Sequence, residues 1–208
     1  MRIALMQRIK LLCGAALAMA LVSLATLAVH GEDKSKKKKV DLDREPDVIF
    51  VPTPQEVVEK MLETAGVKKT DVVYDLGCGD GRIVITAAKK YGCKAKGFDI
   101  AKKRIEECQE NLAKEDKAIQ KLASFKRADI FETDLSEATV VTLYLLPSLN
   151  VKLAPQLNKL KKGTRIVSHA FDMKGYKPDK EITVKTKDDG ERTIYLWTIP
   201  LNKEKAND

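Results

Sequence analysis

Histidine and cysteine are both scarce in this chain, which has 208 residues but only two of the first and four of the second. One histidine, His30, falls in an apolar N-terminal stretch, so His169 is the single imidazole available to the rest of the sequence. Beyond Cys13 the thiols are Cys78, Cys93 and Cys108, an odd number that excludes a complete disulfide framework. They are read as small, partly buried thiols. No metal site is expected, and no internal repeat is present. A one-sided charge is missing too, despite a formal net charge of +8. Once the 8 basic and 2 acidic residues before Val40 are set aside, 30 basic residues face 28 acidic ones. So even a balance gives no broad electrostatic footprint for nucleic acid, which is not expected as a partner. A monomer is expected.

What the chain does have starts with a targeting segment. Arg2, Arg8 and Lys10 precede the apolar run Leu11–Val29, and residues 1–31 read as a signal peptide or a membrane anchor. Val29-His30-Gly31 and Thr26-Leu27-Ala28 are candidate cleavage sites. Cys13 follows Leu12 where a lipoprotein signal has a small residue, so lipidation is not expected. Lys34 and Lys36–Lys39 come directly after the run, and positive charge favours the cytoplasmic side, so the side of the membrane stays open. The chain is expected to be exported or membrane-anchored, with a membrane as partner through this segment. Residues 32–48 read as a charged, lysine-rich linker, 49–201 as the folded domain, and 202–208 as a disordered tail.

The domain is organised around Val72–Gly81. Val72–Leu76 is a short apolar run holding one acid, the profile of a buried parallel strand. Gly77, Gly79 and Gly81 follow at alternate positions, and Arg82–Tyr91 reads as a helix ending at Gly92. A turn without Cβ atoms lets a ligand approach the backbone closely. The phosphate-binding version, G-x-G-x-x-G, does not fit: the third glycine comes one residue early and Arg82 takes its place. Asp75 would also sit badly beside a phosphate; it suits a cationic ligand group. Lys94–Phe98 is the next strand, closed by Asp99, which is placed to accept hydrogen bonds from ribose hydroxyls.

The remaining elements alternate. Thr53 to Glu56 reads as a capping box with Pro54 at the first helical position, and Val57, Val58, Met61, Leu62 and Ala65 form the apolar stripe of a helix ended by Gly66. Ala101–Lys114 is an amphipathic helix, Ser124–Arg127 a third strand, and Ala138–Leu146 a fourth that ends in Tyr144-Leu145-Leu146-Pro147. Leucines 149, 153, 157 and 160 mark a further helix, which Pro155 is expected to kink or split. Thr164–Ser168 is a fifth strand, with His169 at its carboxyl end. Glu181–Lys187 and Arg192–Ile199 form a hairpin about Asp188-Asp189-Gly190, and the apolar character of both faces of the last strand places it in the sheet interior. The fold class is α/β: a doubly wound, mostly parallel seven-stranded sheet with a C-terminal antiparallel hairpin.

The acid followed by G-x-G-x-G, here Asp75, Gly77, Gly79 and Gly81, resembles the first motif of class I S-adenosylmethionine-dependent methyltransferases. The stretch from Val51-Pro52 through the glycine motif, Tyr-Leu-Leu-Pro and Ser168–Pro178 is similar to the small lysine N-methyltransferases related to those of the adenine nucleotide translocase and the ATP synthase c-ring protein. The resemblance implies a Rossmann-like methyltransferase fold and S-adenosyl-L-methionine as cofactor. It further implies that the glycine turn lies against the methionine part, that Asp99 with Ile100 holds the ribose, and that Asp129 and Ile130 meet the adenine. Phe50–Thr53 would form part of the wall. The acceptor it implies is a protein lysine; a small-molecule acceptor and a non-catalytic cofactor-binding module are the alternatives. The Asp/Asn-Pro-Pro-aromatic motif of DNA-type amino methyltransferases is absent after the fourth strand. Methyl transfer to lysine is a direct displacement by an amine that has first lost its proton, and Tyr144 and His169 are the candidate catalytic pair: Tyr144 lining the pocket, His169 accepting the proton directly or through water.

Overall fold

The computed structural model describes residues 40–188 and 190–204. The targeting segment expected at 1–31, the first part of the linker and the last four residues of the tail lie outside the described residues. Among the described residues no helix is long and apolar enough to cross a membrane.

Helix α1 (Gln55–Thr64) precedes strand β1 (Val72–Leu76), then α2 (Arg82–Tyr91), β2 (Lys94–Asp99), α3 (Lys102–Ala113), the short α4 (Lys117–Gln120) and β3 (Ala123–Arg127). The second half runs β4 (Val140–Leu143), α5 (Pro147–Leu157), β5 (Arg165–His169), β6 (Lys180–Lys185) and β7 (Glu191–Thr198). The seven strands are ordered β3-β2-β1-β4-β5-β7-β6. The first five strands run parallel, while β7 is antiparallel to both β5 and β6. The doubly wound sheet with a C-terminal hairpin is thus the observed fold, and β7 is interior as its apolar faces require.

Alternation along the strands splits the core into two layers. In β1, Val73 joins the layer built with Val57, Met61 and Leu62 of α1 and Val84 and Ala87 of α2. Its neighbours Tyr74 and Leu76 point the other way, against Leu153 and Leu157 of α5 and Trp197 of β7. The chain leaves β1 towards β2 on one side and reaches β4 on the other, so the winding reverses between them. A crevice opens outside the carboxyl ends of strands at such a reversal.

Several local expectations give way to tertiary contacts. The capping box does not form: α1 starts at Gln55 with no side-chain cap. The Thr53 hydroxyl instead meets Nδ1 of His169 at 3.1 Å, and the Glu56 carboxylate accepts from the Lys187 backbone N–H at 3.0 Å. Strand β4 is shorter than Ala138–Leu146, since Tyr144 to Leu146 turn away into α5. Pro155 neither ends nor splits α5. It lies in the last turn, where the ring removes one hydrogen bond and the helix stops two residues later. Helix α4 carries no stripe that periodicity could reveal, and all three described cysteines are fully rather than partly buried.

The folded part also starts before Ile49. Arg127, at the end of β3, donates to the Leu42 carbonyl and to Asp43 (2.8 Å), Arg44 pairs with Asp129 at 3.1 Å, and Val48 packs on the core. Residues 41–53 form a strap along the carboxyl edge of the sheet. At the other end, Glu204 donates its N–H to Gly175 at 3.0 Å, so the chain stays bound past Leu201.

Candidate active site

Strap and carboxyl edge enclose a cavity of about 510 Å3, within the usual size of small-molecule sites. Its floor is the glycine turn after β1. Gly77 and Cys78 donate their N–H groups to the Phe98 carbonyl at 2.8 and 2.9 Å, which pins the turn to β2. Gly79 has φ +55°, and a Cβ there would run into the ring of Phe50. That ring rests on the turn and takes the Arg104 guanidinium at 4.5 Å on its face. Gly81, at φ +83°, caps α2 from outside the cavity, where a Cβ would meet Phe125 at 2.6 Å.

Two acids shape the electrostatics. Asp75 is 2% exposed, and burial pushes its carboxyl up to about 7, assisted by the nearby charges of Asp99 and Asp80. The Thr142 hydroxyl donates to it at 2.6 Å and partly offsets that rise. No cation pairs with Asp75 among the described residues, so it is a buried acid without a counter-charge. Asp99 is also raised by burial, and it accepts from the N–H groups of Gly79 (3.0 Å) and Ala101 (2.9 Å). Each oxygen keeps a free lone pair, since a carboxylate has about four acceptor sites.

Of the residues singled out in the sequence, Asp75, Gly77, Gly79, Asp99, Ile100, Asp129, Ile130 and Tyr144 all line this one cavity. Gly81 and His169 do not. His169 is 1% exposed and lies behind the lining, its ring 4.0 Å from that of Tyr144. Burial lowers its pKa to about 4, with Arg192 contributing, and its Nε2 has no partner. An imidazole that weakly basic and that enclosed is badly placed to take a proton from a lysine ammonium, whose ordinary pKa is about 10.4. The expectation that it accepts the proton is therefore corrected to one of support beneath Tyr144.

The sequence reading missed Arg44 and Arg104. Arg44 lies in a stretch with the composition of a linker and reaches Asp129, 85 residues on; nothing local signals such a contact. Arg104 reads as an ordinary helix-surface cation, yet it is held by Glu107 at 2.7 Å and lines the cavity.

Comparison with known proteins agrees with this geometry. Residues 75–180 match the family described as the ANTKMT methyltransferase domain. A protein-lysine N-methyltransferase of Saccharolobus islandicus is 48% identical over 162 residues, covering 76% of this chain and 98% of that protein. A lysine N-methyltransferase of Caenorhabditis elegans, named for the ATP synthase c-ring protein, is 25% identical, covering 64% and 67%. Among solved structures, an RNA methyltransferase from Salinibacter ruber in complex with S-adenosyl-L-homocysteine is 46% identical with a TM-score of 0.66, covering 76% of this chain and 98% of that one. Carrying the first glycine motif at the head of the matched region and the fold throughout it, the chain belongs to the ANTKMT methyltransferase domain family.

Proposed function

We propose that this protein is an S-adenosyl-L-methionine-dependent methyltransferase that N-methylates a lysine of a protein. The observation that carries this is the uncompensated Asp75 at the glycine turn, inside a cavity at the winding reversal. A buried carboxyl at this spot fits a ligand bearing positive charge and disfavours a phosphate. S-adenosyl-L-methionine supplies a methyl carbon on a cationic sulfur together with an ammonium group. Asp75 and the turn would hold its amino-acid end, the spare lone pairs of Asp99 its ribose with Ile100 alongside, and Asp129 and Ile130 its adenine. Gly81 serves by shaping the turn and does not touch the ligand.

On the acceptor side stand Tyr144, Leu145 and Leu149. Apolar walls keep water from the amine and favour its neutral form, the nucleophile. The Tyr144 ring offers a face to the amine or its methylated product by cation–π attraction. Most of the rate would come from orientation, which can be worth roughly 7–11 kcal/mol.

The names of relatives favour lysine on one side and RNA on the other, since the Salinibacter ruber protein is titled an RNA methyltransferase. Near-neutral charge from Val40 onward supports a protein acceptor. The deciding experiment incubates the enzyme and methyl-labelled cofactor with bacterial protein extract, total RNA and a small-molecule pool in parallel. Nε-methyl-lysine in hydrolysed protein is expected; label in nucleosides or small molecules alone would sink the reading.

For residues 1–31 we propose a signal peptide or membrane anchor on the strength of the 19-residue apolar run Leu11–Val29. Cell fractionation with protease protection would test it, and recovery of the unprocessed chain wholly in the soluble cytoplasmic fraction would refute it.

A further inference from the structure

Arg82 opens α2, where a cation meets the positive end of the helix dipole and where α2 has no acid in its first turn. A residue that breaks a local rule invites the question of what it does elsewhere. Its guanidinium makes a fork on the Asp80 carboxylate, with Nε at 2.9 and 3.1 Å from the two oxygens. Nη1 then crosses the cavity wall and donates to the Thr53 carbonyl at 2.7 Å. The same Thr53 presents its hydroxyl to Nδ1 of His169 at 3.1 Å. Because Nε2 of His169 is buried without a partner, this is the ring's one hydrogen bond among the described residues. Tyr144 lies on the other side of that ring at 4.0 Å.

The chain of contacts thus runs from the cofactor turn (Asp80), through the strap (Thr53), to the ends of β5 (His169) and β4 (Tyr144). Donor and acceptor ends of the cavity sit on different strands, and an in-line displacement needs their separation held fixed. We propose that Arg82 and Thr53 are positioning residues, a strut that sets the Tyr144 face at a fixed distance from the cofactor turn. The inference rests on the methyltransfer reading above. Guanidinium geometry is essential to it: only a planar fork can grip a carboxylate and reach a carbonyl at once, and a lysine ammonium cannot do both.

The test uses the full-length chain with Arg82→Gln, Arg82→Lys, Thr53→Val and Thr53→Ser. Cofactor affinity is measured by calorimetry with S-adenosyl-L-homocysteine, and turnover with poly-L-lysine and mixed histones as acceptors. A strut predicts that kcat falls by about 100-fold in Arg82→Gln, as misplacement by an ångström can cost, while Kd for S-adenosyl-L-homocysteine moves less than about threefold. Arg82→Lys should fail nearly as badly, Thr53→Val should lose about tenfold, and Thr53→Ser should restore most of that. The double variant Arg82→Gln/Thr53→Val should be little worse than the worse single one, as for groups acting as a unit. Loss of cofactor affinity in step with kcat, or Arg82→Lys at wild-type turnover, would overturn the strut.

A second readout does not depend on turnover. The chain has two histidines, so 15N-histidine spectra of wild type and His30→Gln assign the His169 nitrogens. Binding of S-adenosyl-L-homocysteine should shift Nδ1 of His169 in wild type and leave it unmoved in Arg82→Gln; equal shifts in both would overturn the coupling. Absence of methyl transfer by the wild type refutes the methyltransfer reading on these acceptors, and the strut is then judged by the spectra alone.

Discussion

The Asp75 carboxyl titrates near neutrality because no cation among the described residues offsets its burial. If a ligand cation binds only the ionised form, affinity for S-adenosyl-L-homocysteine should rise with pH to about 7 and level off above it. Well below that it should weaken roughly tenfold per pH unit. Calorimetry across pH 5–8 checks this, and Asp75→Asn should remove the slope. The same group has the opposite effect on folding. Its folded pKa lies above the ordinary 3.8, so the folded state holds an extra proton between about 4 and 7. Asp75's contribution to stability is present below that window and is lost as pH rises through it. Thermal scans of wild type against Asp75→Asn should show the difference shrinking towards acid. Asp75, Asp99 and the glycines were legible in the sequence because the turn is local: strand, three glycines, helix and terminal acid fall in one unbroken stretch. His169 was legible as an address at the end of β5 but not as a chemical group. Its burial and its one partner, Thr53, depend on a contact 116 residues away in sequence.

Among the elements, α2 and the strap differ in how much of them the sequence discloses. The bounds of α2 are written in its flanking glycines, both with left-handed φ, +83° at Gly81 and +63° at Gly92. Gly81→Ala adds both the left-handed penalty and a clash with Phe125, together about 2 kcal/mol or more. A fall in Tm of roughly 4–8 °C is expected, measured by calorimetric scan. The strap has no such punctuation. Its charges, Arg44 and Asp43 included, read as a linker because their partners, Asp129 and Arg127, stand on the far side of the sequence. α1 shows the same physics. Thr53 and Glu56 satisfy a local capping rule on paper, and both side chains take distant partners instead. Arg44→Ala should free Asp129 from its ion pair and loosen the strap over the cavity. The expected result is faster release of S-adenosyl-L-homocysteine in stopped-flow displacement, with a loss of about 1 kcal/mol or less in thermal stability, as suits a part-exposed pair.

For the whole molecule, these contacts set where the domain begins. A chain starting at Ile49 would lack the Arg44 and Asp43 pairs and the Val48 packing. It should retain the fold yet bind S-adenosyl-L-homocysteine at least tenfold more weakly than one starting at Val40; equal affinities would show the strap to be passive. The global plan was legible because each strand is a short apolar run and each helix has its own stripe, so element order alone fixed the winding. Lengths at β4 and the passage of α5 through Pro155 were not, since tertiary packing decided them. The place of β7 between β5 and β6 has a further consequence for the making of the protein. The last strand to leave the ribosome is an interior one, and it brings Ile194, Leu196 and Trp197 to both core layers. Until it emerges, β5 is an open edge and neither layer is closed. Folding of this domain therefore waits for the end of synthesis, and a nascent chain halted before Glu191 presents an unfinished sheet to whatever chaperone or translocation machinery meets it first.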